Sequence, residues 1–395
     1  MRRSLPLRFP LLILSILFVL LIAWSIFADI GVFGFFPAEP GRSGPSGLSA
    51  VREHRLVRST RRGNVELEIA RFRNESGIIW VLRDYGKTIP APEYAEGIRP
   101  TESIVTGQWN ETGDDLCFRV FPPEAMPGFS HYLAKDGKLI LYYHSFNLHQ
   151  SSALSVYDTD RMNLIYYSFD HGAITSPRIM EDRDGGILMM RRRRHGGNPE
   201  SPLLEYHIQK YDRETNLVEN VGVFSVPRAP VLSIDDAQLI DEDRQIALFA
   251  PPNTIYLVDI KNAEVSMKIE SPPGMSITRG VISSDDKYAY TSGQTNEIGK
   301  FDMATGNLLA RTFAFPTVGS LHGIWPTHLC LSPDGRWLAV GSIFSEDVFI
   351  FDAQELKAIK EINFNAKIKA ISFSPDSSHL AVEAGGIVRI FKADF

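Results

Sequence analysis

Cysteine is almost missing from this chain: its 395 residues include only Cys117 and Cys330. Two cysteines are too few for a disulfide framework or a structural zinc site, so we expect each to be a small buried strand residue. A basic excess is missing as well, because 41 Lys and Arg face 47 Asp and Glu, for a net charge of −6. This balance argues against broad binding to nucleic acid, which favours basic domains.

Local motifs for catalysis and cofactor binding are also absent. The sequence has no His-Glu-x-x-His, no phosphate-binding glycine loop, no Gly-x-Ser-x-Gly and no Cys-x-x-Cys-His. The close pairs His322/His328 and His144/His149 have no cysteine or carboxylate nearby at zinc-site spacing. We therefore predict no catalytic residues, no metal site and no cofactor.

One long apolar run stands near the N-terminus. Arg2, Arg3 and Arg8 precede an uncharged stretch from Phe9 to Ala28, which has the 20 residues that a helix needs to cross a bilayer. We predict that residues 1–36 are an uncleaved signal-anchor and that residues 9–28 contact the membrane. A cleaved signal peptide and a buried helix remain open as alternatives.

Basic residues flanking this run predict its orientation. Three Arg precede it and only Arg42 follows closely, so the N-terminus should be cytoplasmic and the rest extracytoplasmic, or periplasmic in a Gram-negative cell. Residues 37–63 are rich in Gly, Pro and Ser and then in Arg, which predicts a flexible linker. Residues 64–395 should form the folded domain.

A strand–turn–strand unit recurs through the second part of the chain, and residues 328–352 are its clearest copy. An apolar strand leads to Ser-Pro-Asp-Gly, whose residues favour a tight hairpin, and a short polar loop joins the second strand to the third. Six such turns occur, near residues 136, 184, 241, 285, 334 and 376. Third strands close on an apolar residue and Asp at Asp158, Asp212, Asp259, Asp302 and Asp352, with a period of 43 to 54 residues. Four short strands per period of this length indicate propeller blades.

The stretch Leu331–Val340 resembles the repeats of WD40-like and YVTN-type β-propellers, as does Ile371–Asp376 with Leu380–Val382. The resemblance covers about residues 129–395, although Tyr-Asp, Val-Asp and Phe-Asp stand where WD repeats have Trp-Asp. It implies an all-β fold, which we predict to be a seven-bladed β-propeller, with six or eight blades open. Residues 77–127 would form the first blade, and Val65–Phe72 would close the ring as the outer strand of the last.

The resemblance also implies where a binding site lies, because the first strand of such blades lines the central channel and begins at one face. Counting back from each turn by the spacing of His328 gives Ser130, Arg178, Arg279 and His328, with Lys369 or Ala370 in the last copy. We predict an anion-binding channel mouth formed by Arg178, Arg279, His328 and Lys369. In the alternative, these side chains satisfy backbone carbonyls or are solvated.

The longest loop predicted on this face carries Arg191, Arg192, Arg193, Arg194 and His195. A protruding solvated loop is the alternative to a binding role. Two functions follow for the whole chain. The first is a non-enzymatic scaffold or sensor that binds a protein partner or an anionic small ligand. The second is a hydrolase or lyase similar to YVTN-type lactonases, with its site at the channel mouth.

Overall fold

The structure is a computed structural model. It describes residues 52–55, 65–72, 78–84, 103–109, 115–120, 128–134, 138–146, 151–158, 163–171, 178–182, 185–193, 203–227, 236–240, 244–316 and 324–395. Within these ranges, no helix has the length and apolar character that crossing a membrane requires. The anchor predicted at residues 1–36 lies outside them.

Every regular element in the described ranges is a β-strand. In chain order the strands are β1 (Arg52–Arg55), β2 (Val65–Phe72), β3 (Ile78–Asp84), β4 (Ser103–Trp109), β5 (Asp115–Val120), β6 (Gly128–Leu133), β7 (Leu139–Phe146), β8 (Ser151–Asp158), β9 (Asn163–His171), β10 (Arg178–Glu181), β11 (Ile187–Arg193), β12 (Leu203–Asp212), β13 (Leu217–Pro227), β14 (Asp236–Ile240), β15 (Gln245–Ala250), β16 (Thr254–Asp259), β17 (Glu264–Glu270), β18 (Arg279–Ile282), β19 (Tyr288–Ser292), β20 (Glu297–Asp302), β21 (Leu308–Phe313), β22 (His328–Leu331), β23 (Trp337–Gly341), β24 (Asp347–Asp352), β25 (Lys357–Asn363), β26 (Ile368–Phe373), β27 (His379–Ala384) and β28 (Ile387–Lys392).

These strands form seven four-stranded antiparallel sheets. Sheets 1 to 6 each take four consecutive strands, from β2–β5 to β22–β25, and sheet 7 combines β26, β27 and β28 with β1. The first strands of successive sheets are neighbours: β10 lies beside β14, β14 beside β18, β18 beside β22, β22 beside β26, and β26 beside β2. The prediction of an all-β propeller is confirmed.

The strand that completes sheet 7 differs from the predicted one. Arg52–Arg55 pairs antiparallel with β28, with Arg52 opposite Ile390 and Arg55 opposite Ile387. Val65–Phe72, the predicted closing strand, instead pairs with β3 as the first strand of sheet 1. The short connection to β3 favours this local hairpin over a distant partner. The N- and C-terminal strands do share a sheet, but the closing strand lies inside the predicted linker.

The Ser-x-Asp sequence makes the hairpin turn between the first two strands. Ser332 Oγ donates to Asp334 Oδ1 at 2.6 Å and accepts the Trp337 N–H at 2.9 Å. Ser283 with Asp285 and Ser374 with Asp376 repeat the first of these bonds at 2.7 and 2.6 Å. The repeated residues therefore hold the turn together through their side chains.

In sheets 3 to 6, the Asp that ends the third strand caps the next turn. Asp352 Oδ1 accepts the N–H groups of Gln354 and Glu355, both at 2.8 Å. Four residues after this Asp, at Leu356, the backbone is left-handed, with a φ of 52°. The residues four after the corresponding Asp in sheets 3, 4 and 5 are also left-handed: Asn216, Ala263 and Gly306, with φ values of 57°, 53° and 72°. The Asp recurs because this turn needs an acceptor for its free N–H groups.

Neighbouring sheets pack face to face, and the core lies between them. Phe301 of sheet 5 is fully buried against sheet 4, and Phe351 of sheet 6 is fully buried against sheet 5. Trp337 and Phe391 belong to the cluster between sheets 6 and 7. Since sheets 3 to 6 each bury both faces in this way, the starts of their first strands are held in fixed positions.

Candidate functional site

Residues that begin the first strands form a cluster, which we call the mouth: Arg178, Asp236, Arg279, His328 and Lys369. Arg178, Asp236, Arg279 and His328 are the first residues of their strands, and Lys369 is the second residue of β26. Electrostatic coupling places Asp236 near Arg178 and Arg279, and places His328 near Arg279 and Lys369. All four residues predicted for the mouth are therefore brought together.

Asp236 is the member of the mouth that the sequence analysis missed. Its Oδ1 accepts the Ala237 N–H at 2.9 Å, and its Oδ2 accepts the Gly280 N–H from the neighbouring sheet at 3.4 Å. Burial raises the pKa of this carboxyl, while the positive charges of Arg279 and Arg178 oppose that shift. A signal for it existed, because the spacing used for His328, counted back from the turn at Asp241, goes one residue too far, to Asp235.

His328 is the most strongly perturbed group of the mouth. Burial lowers its pKa to about 4, the positive charges of Arg279 and Lys369 act in the same direction, and a hydrogen bond to the Ile368 backbone opposes them. Nε2 is buried and has no hydrogen-bond partner among the described residues, so Nδ1 makes the bond to Ile368. The imidazole is consequently neutral at neutral pH and offers an acceptor nitrogen between two cations.

The mouth carries a net positive charge at neutral pH. Arg178, Arg279 and Lys369 contribute three basic side chains, and Asp236 is the single acidic residue beside them. Arg279 is exposed, whereas the other four residues are half-buried. Cations gathered at a concave, partly desolvated position attract anionic groups more strongly than the same charges spread over a surface.

Side chains of β14 fix the spacing between the first strands of sheets 4 and 5. Gln238 Nε2 donates to the Gly280 carbonyl at 3.1 Å, and its Oε1 accepts the Ile282 N–H at 2.8 Å. Gly280 has no room for a side chain, since a Cβ there would lie 1.9 Å from the Phe249 ring. These contacts hold the backbone beside Asp236 and Arg279 in place.

A cavity of about 440 Å³ extends from the mouth along the first strands of sheets 2 to 5. Its polar lining includes Tyr132, Glu181, Asp236, Gln238 and Ser283. Glu181 already accepts from Tyr132 Oη at 3.3 Å and from Arg213 at 3.0 Å. The channel is therefore polar below the mouth, and its carboxylates are engaged in contacts between sheets.

The predicted arginine loop is corrected in part. Arg191, Arg192 and Arg193 lie in β11, where Arg191 pairs with His207 and Arg193 pairs with Glu205. Arg191 is 3% exposed, so it is a buried strand residue and not a loop residue. The antiparallel pairing with β12 continues through Arg193, which places these three residues in the strand. Arg194 and His195 lie outside the described residues.

The remaining site predictions have simple outcomes. Ser130 lies in β6, next to a register shift, and carries no predicted role. Among the described residues, no group of three or more His, Cys, Asp or Glu side chains is arranged to hold a metal ion. The alternative of a hydrolase or lyase stays a prediction.

Comparison with known proteins supports the fold and no particular activity. No protein-family model and no curated protein matches the chain. A chain of the crystal structure of the mitotic checkpoint complex is similar to it, with a TM-score of 0.59, 12% identity, and coverage of 91% of this chain and 97% of that chain. In all, 1625 chains of solved structures match, so the likeness identifies a widely used fold. The protein has a WD40-like β-propeller fold.

Proposed function

We propose that this protein is a non-enzymatic binding scaffold or sensor whose propeller captures acidic groups of a protein partner or ligand at the mouth. The observation that carries the proposal is that Arg279 and Lys369 lie near the neutral imidazole of His328, while Arg178 lies with Arg279 near Asp236 on the neighbouring strands. Guanidinium and ammonium groups bind carboxylates through charge-assisted hydrogen bonds. A macromolecular partner is favoured by the similar chain in the mitotic checkpoint complex, which is part of an assembly.

The same proposal includes a membrane-anchored, extracytoplasmic location. Its support is the apolar run Phe9–Ala28 and the three Arg before it. Alkaline extraction of membranes from cells that express the full chain tests the anchor. Protein that stays in the membrane pellet supports the proposal, and release into the supernatant removes the anchor from it.

Binding at the mouth is tested with a short fluorescent peptide of Gly, Ser and Asp and the purified full chain in detergent. Fluorescence anisotropy should show binding that weakens as salt is added, because charge pairs at a solvent-accessible mouth are screened. Arg279→Glu should weaken binding by about tenfold or more, since it replaces an attraction by a repulsion.

Lys357→Glu is the matched control for this charge reversal. Lys357 is exposed at the start of the outer strand β25, so its reversal changes the net charge equally without altering the mouth. Equal weakening by Arg279→Glu and Lys357→Glu would show a general charge effect and would remove the mouth as the site.

A further inference from the structure

An apolar patch stands beside the mouth, and we call it the ledge: Trp325, Ile343 and Phe344. Ile343 is 37% exposed and Phe344 is 42% exposed. Among the described residues, every other exposed large apolar side chain lies on a third or an outer strand, whereas these two lie in a loop between β23 and β24. Trp325 packs on Phe344 with the ring centroids 4.8 Å apart.

Hydrogen bonds hold this loop in one shape. The Phe344 N–H donates to Ser342 Oγ at 3.1 Å, and the Ser345 N–H donates to the Ser342 carbonyl at 3.0 Å. Ser345 Oγ in turn accepts the Asp347 N–H at 3.1 Å. The loop therefore presents Ile343 and Phe344 to solvent on an ordered backbone, which lowers the entropy lost when a partner binds.

The ledge is joined directly to the strands that carry the mouth. The Ile343 N–H donates at 2.8 Å to Oγ1 of Thr327, the residue before His328. The Ser345 carbonyl accepts at 3.2 Å the N–H of Ile368, the residue before Lys369. The backbone of the ledge is thus bonded to the residues that directly precede His328 and Lys369.

We propose that the mouth and the ledge together bind an extended protein segment that has an apolar side chain next to acidic ones. This inference rests on the proposed function and specifies its partner. The acidic side chains would meet Arg279 and Lys369, and the apolar side chain would cover Phe344 and Ile343. Aromatic side chains packed beside charged groups are typical of the residues that dominate binding energy at interfaces.

The experiment compares two fluorescent acidic peptides that differ at one central position, Phe in the first and Gly in the second. The parent protein should bind the Phe peptide about tenfold more tightly, because covering apolar surface adds to the shared charge attraction. Phe344→Ser should abolish this preference and leave binding of the Gly peptide unchanged. Ile343→Ser should reduce the preference in the same direction.

Phe313→Ser is the matched control, because Phe313 is 44% exposed but lies on the outer strand β21. This variant should keep the preference for the Phe peptide. Circular dichroism spectra identical to that of the parent would establish that the variants are folded. Lys369→Glu should weaken binding of both peptides.

The results separate this inference from the proposed function. If both peptides bind equally well and Lys369→Glu weakens both, the mouth is supported as the binding site and the role of the ledge is overturned. Failure of both peptides to bind would overturn both. Phe344-dependent binding to phosphatidylcholine–phosphatidylglycerol vesicles, with no preference between the peptides, would overturn the inference in favour of a lipid surface.

Discussion

Ser332→Ala tests whether the side chain of the repeated turn residue stabilises the propeller. Ser332 is 1% exposed, and its hydroxyl makes two short hydrogen bonds. It accepts the Trp337 N–H at 2.9 Å and donates to Asp334 Oδ1 at 2.6 Å. Alanine removes both bonds and leaves the Trp337 N–H inside the protein without this acceptor.

The expected loss follows from the unsatisfied donor. A buried N–H that loses its acceptor costs about 1–3 kcal/mol, whereas a hydrogen bond at the surface contributes less. Trp337 is 8% exposed and belongs to the cluster between sheets 6 and 7, so solvent has poor access to its backbone. We therefore expect Ser332→Ala to lower the free energy of unfolding by about 2 kcal/mol.

Urea denaturation of the full chain, followed by tryptophan fluorescence, measures this loss. Ser374→Ala should behave similarly, because Ser374 is also buried and makes the equivalent bonds to Asp376 at 2.6 Å and from the His379 N–H at 2.8 Å. Ser266→Ala is the control at an exposed serine, and it should change stability by less than about 0.5 kcal/mol. Equal losses of stability in all three variants would refute the role assigned to the turn.

Two further predictions concern pH and backbone conformation. His328 should cost the protein about 2 kcal/mol of stability between pH 7 and pH 5, because its folded pKa of about 4 lies below the unfolded value of 6.5 and only the unfolded chain takes up the proton there. His328→Asn should remove this loss. Urea titrations at both pH values measure it, and an unchanged pH dependence in the variant contradicts the buried imidazole. Gly306→Ala should be destabilised by more than the control Gly335→Ala. Both glycines have φ of 72°, where an added Cβ costs about 1 kcal/mol. Only at Gly306 would that Cβ come within 3.1 Å of Met267 and 3.3 Å of Ile269. Equal losses in thermal unfolding would show that these neighbours give way.

The turns were predictable because their residues act locally. Ser, Pro, Asp and Gly each favour a tight turn for a reason that depends on a few neighbouring atoms. The structure shows those same atoms in use, as in the bond from Ser332 to Asp334. The closing Asp residues were visible for the same reason, since Asp352 satisfies N–H groups only two and three residues ahead.

The place of a strand in its sheet could not be predicted in the same way. Alternation in Val65–Phe72 indicates a strand with two different faces, but it is equally compatible with a first and an outer position. Arg52–Arg55 has the opposite difficulty, because a short charged sequence at a sheet edge has the composition of a linker. Only the register with β28 identifies it as a strand.

The ledge was not predicted because exposure of a loop residue has no periodic signature. The segment between β23 and β24 was interpreted from sequence as a short polar loop, since Ser342, Ser345 and Glu346 surround its two apolar residues. In three dimensions those serines hold the turn, which leaves Ile343 and Phe344 as its exposed part.

The residues of the mouth could be predicted by counting a fixed number of residues back from each hairpin turn, because each first strand runs from the mouth to such a turn. The count succeeds where these strands have equal length: β10, β18 and β22 each have four residues. It is displaced where the strand or the approach to the turn differs in length: β26 has six residues, so the count stops inside it, whereas β14 ends directly before Asp241, so the count passes its first residue. Thus Asp236 was missed, and the choice between Lys369 and Ala370 stayed open. The combined length of strand and turn determines which residue reaches the mouth, and the identity of that residue determines the charge that a partner meets.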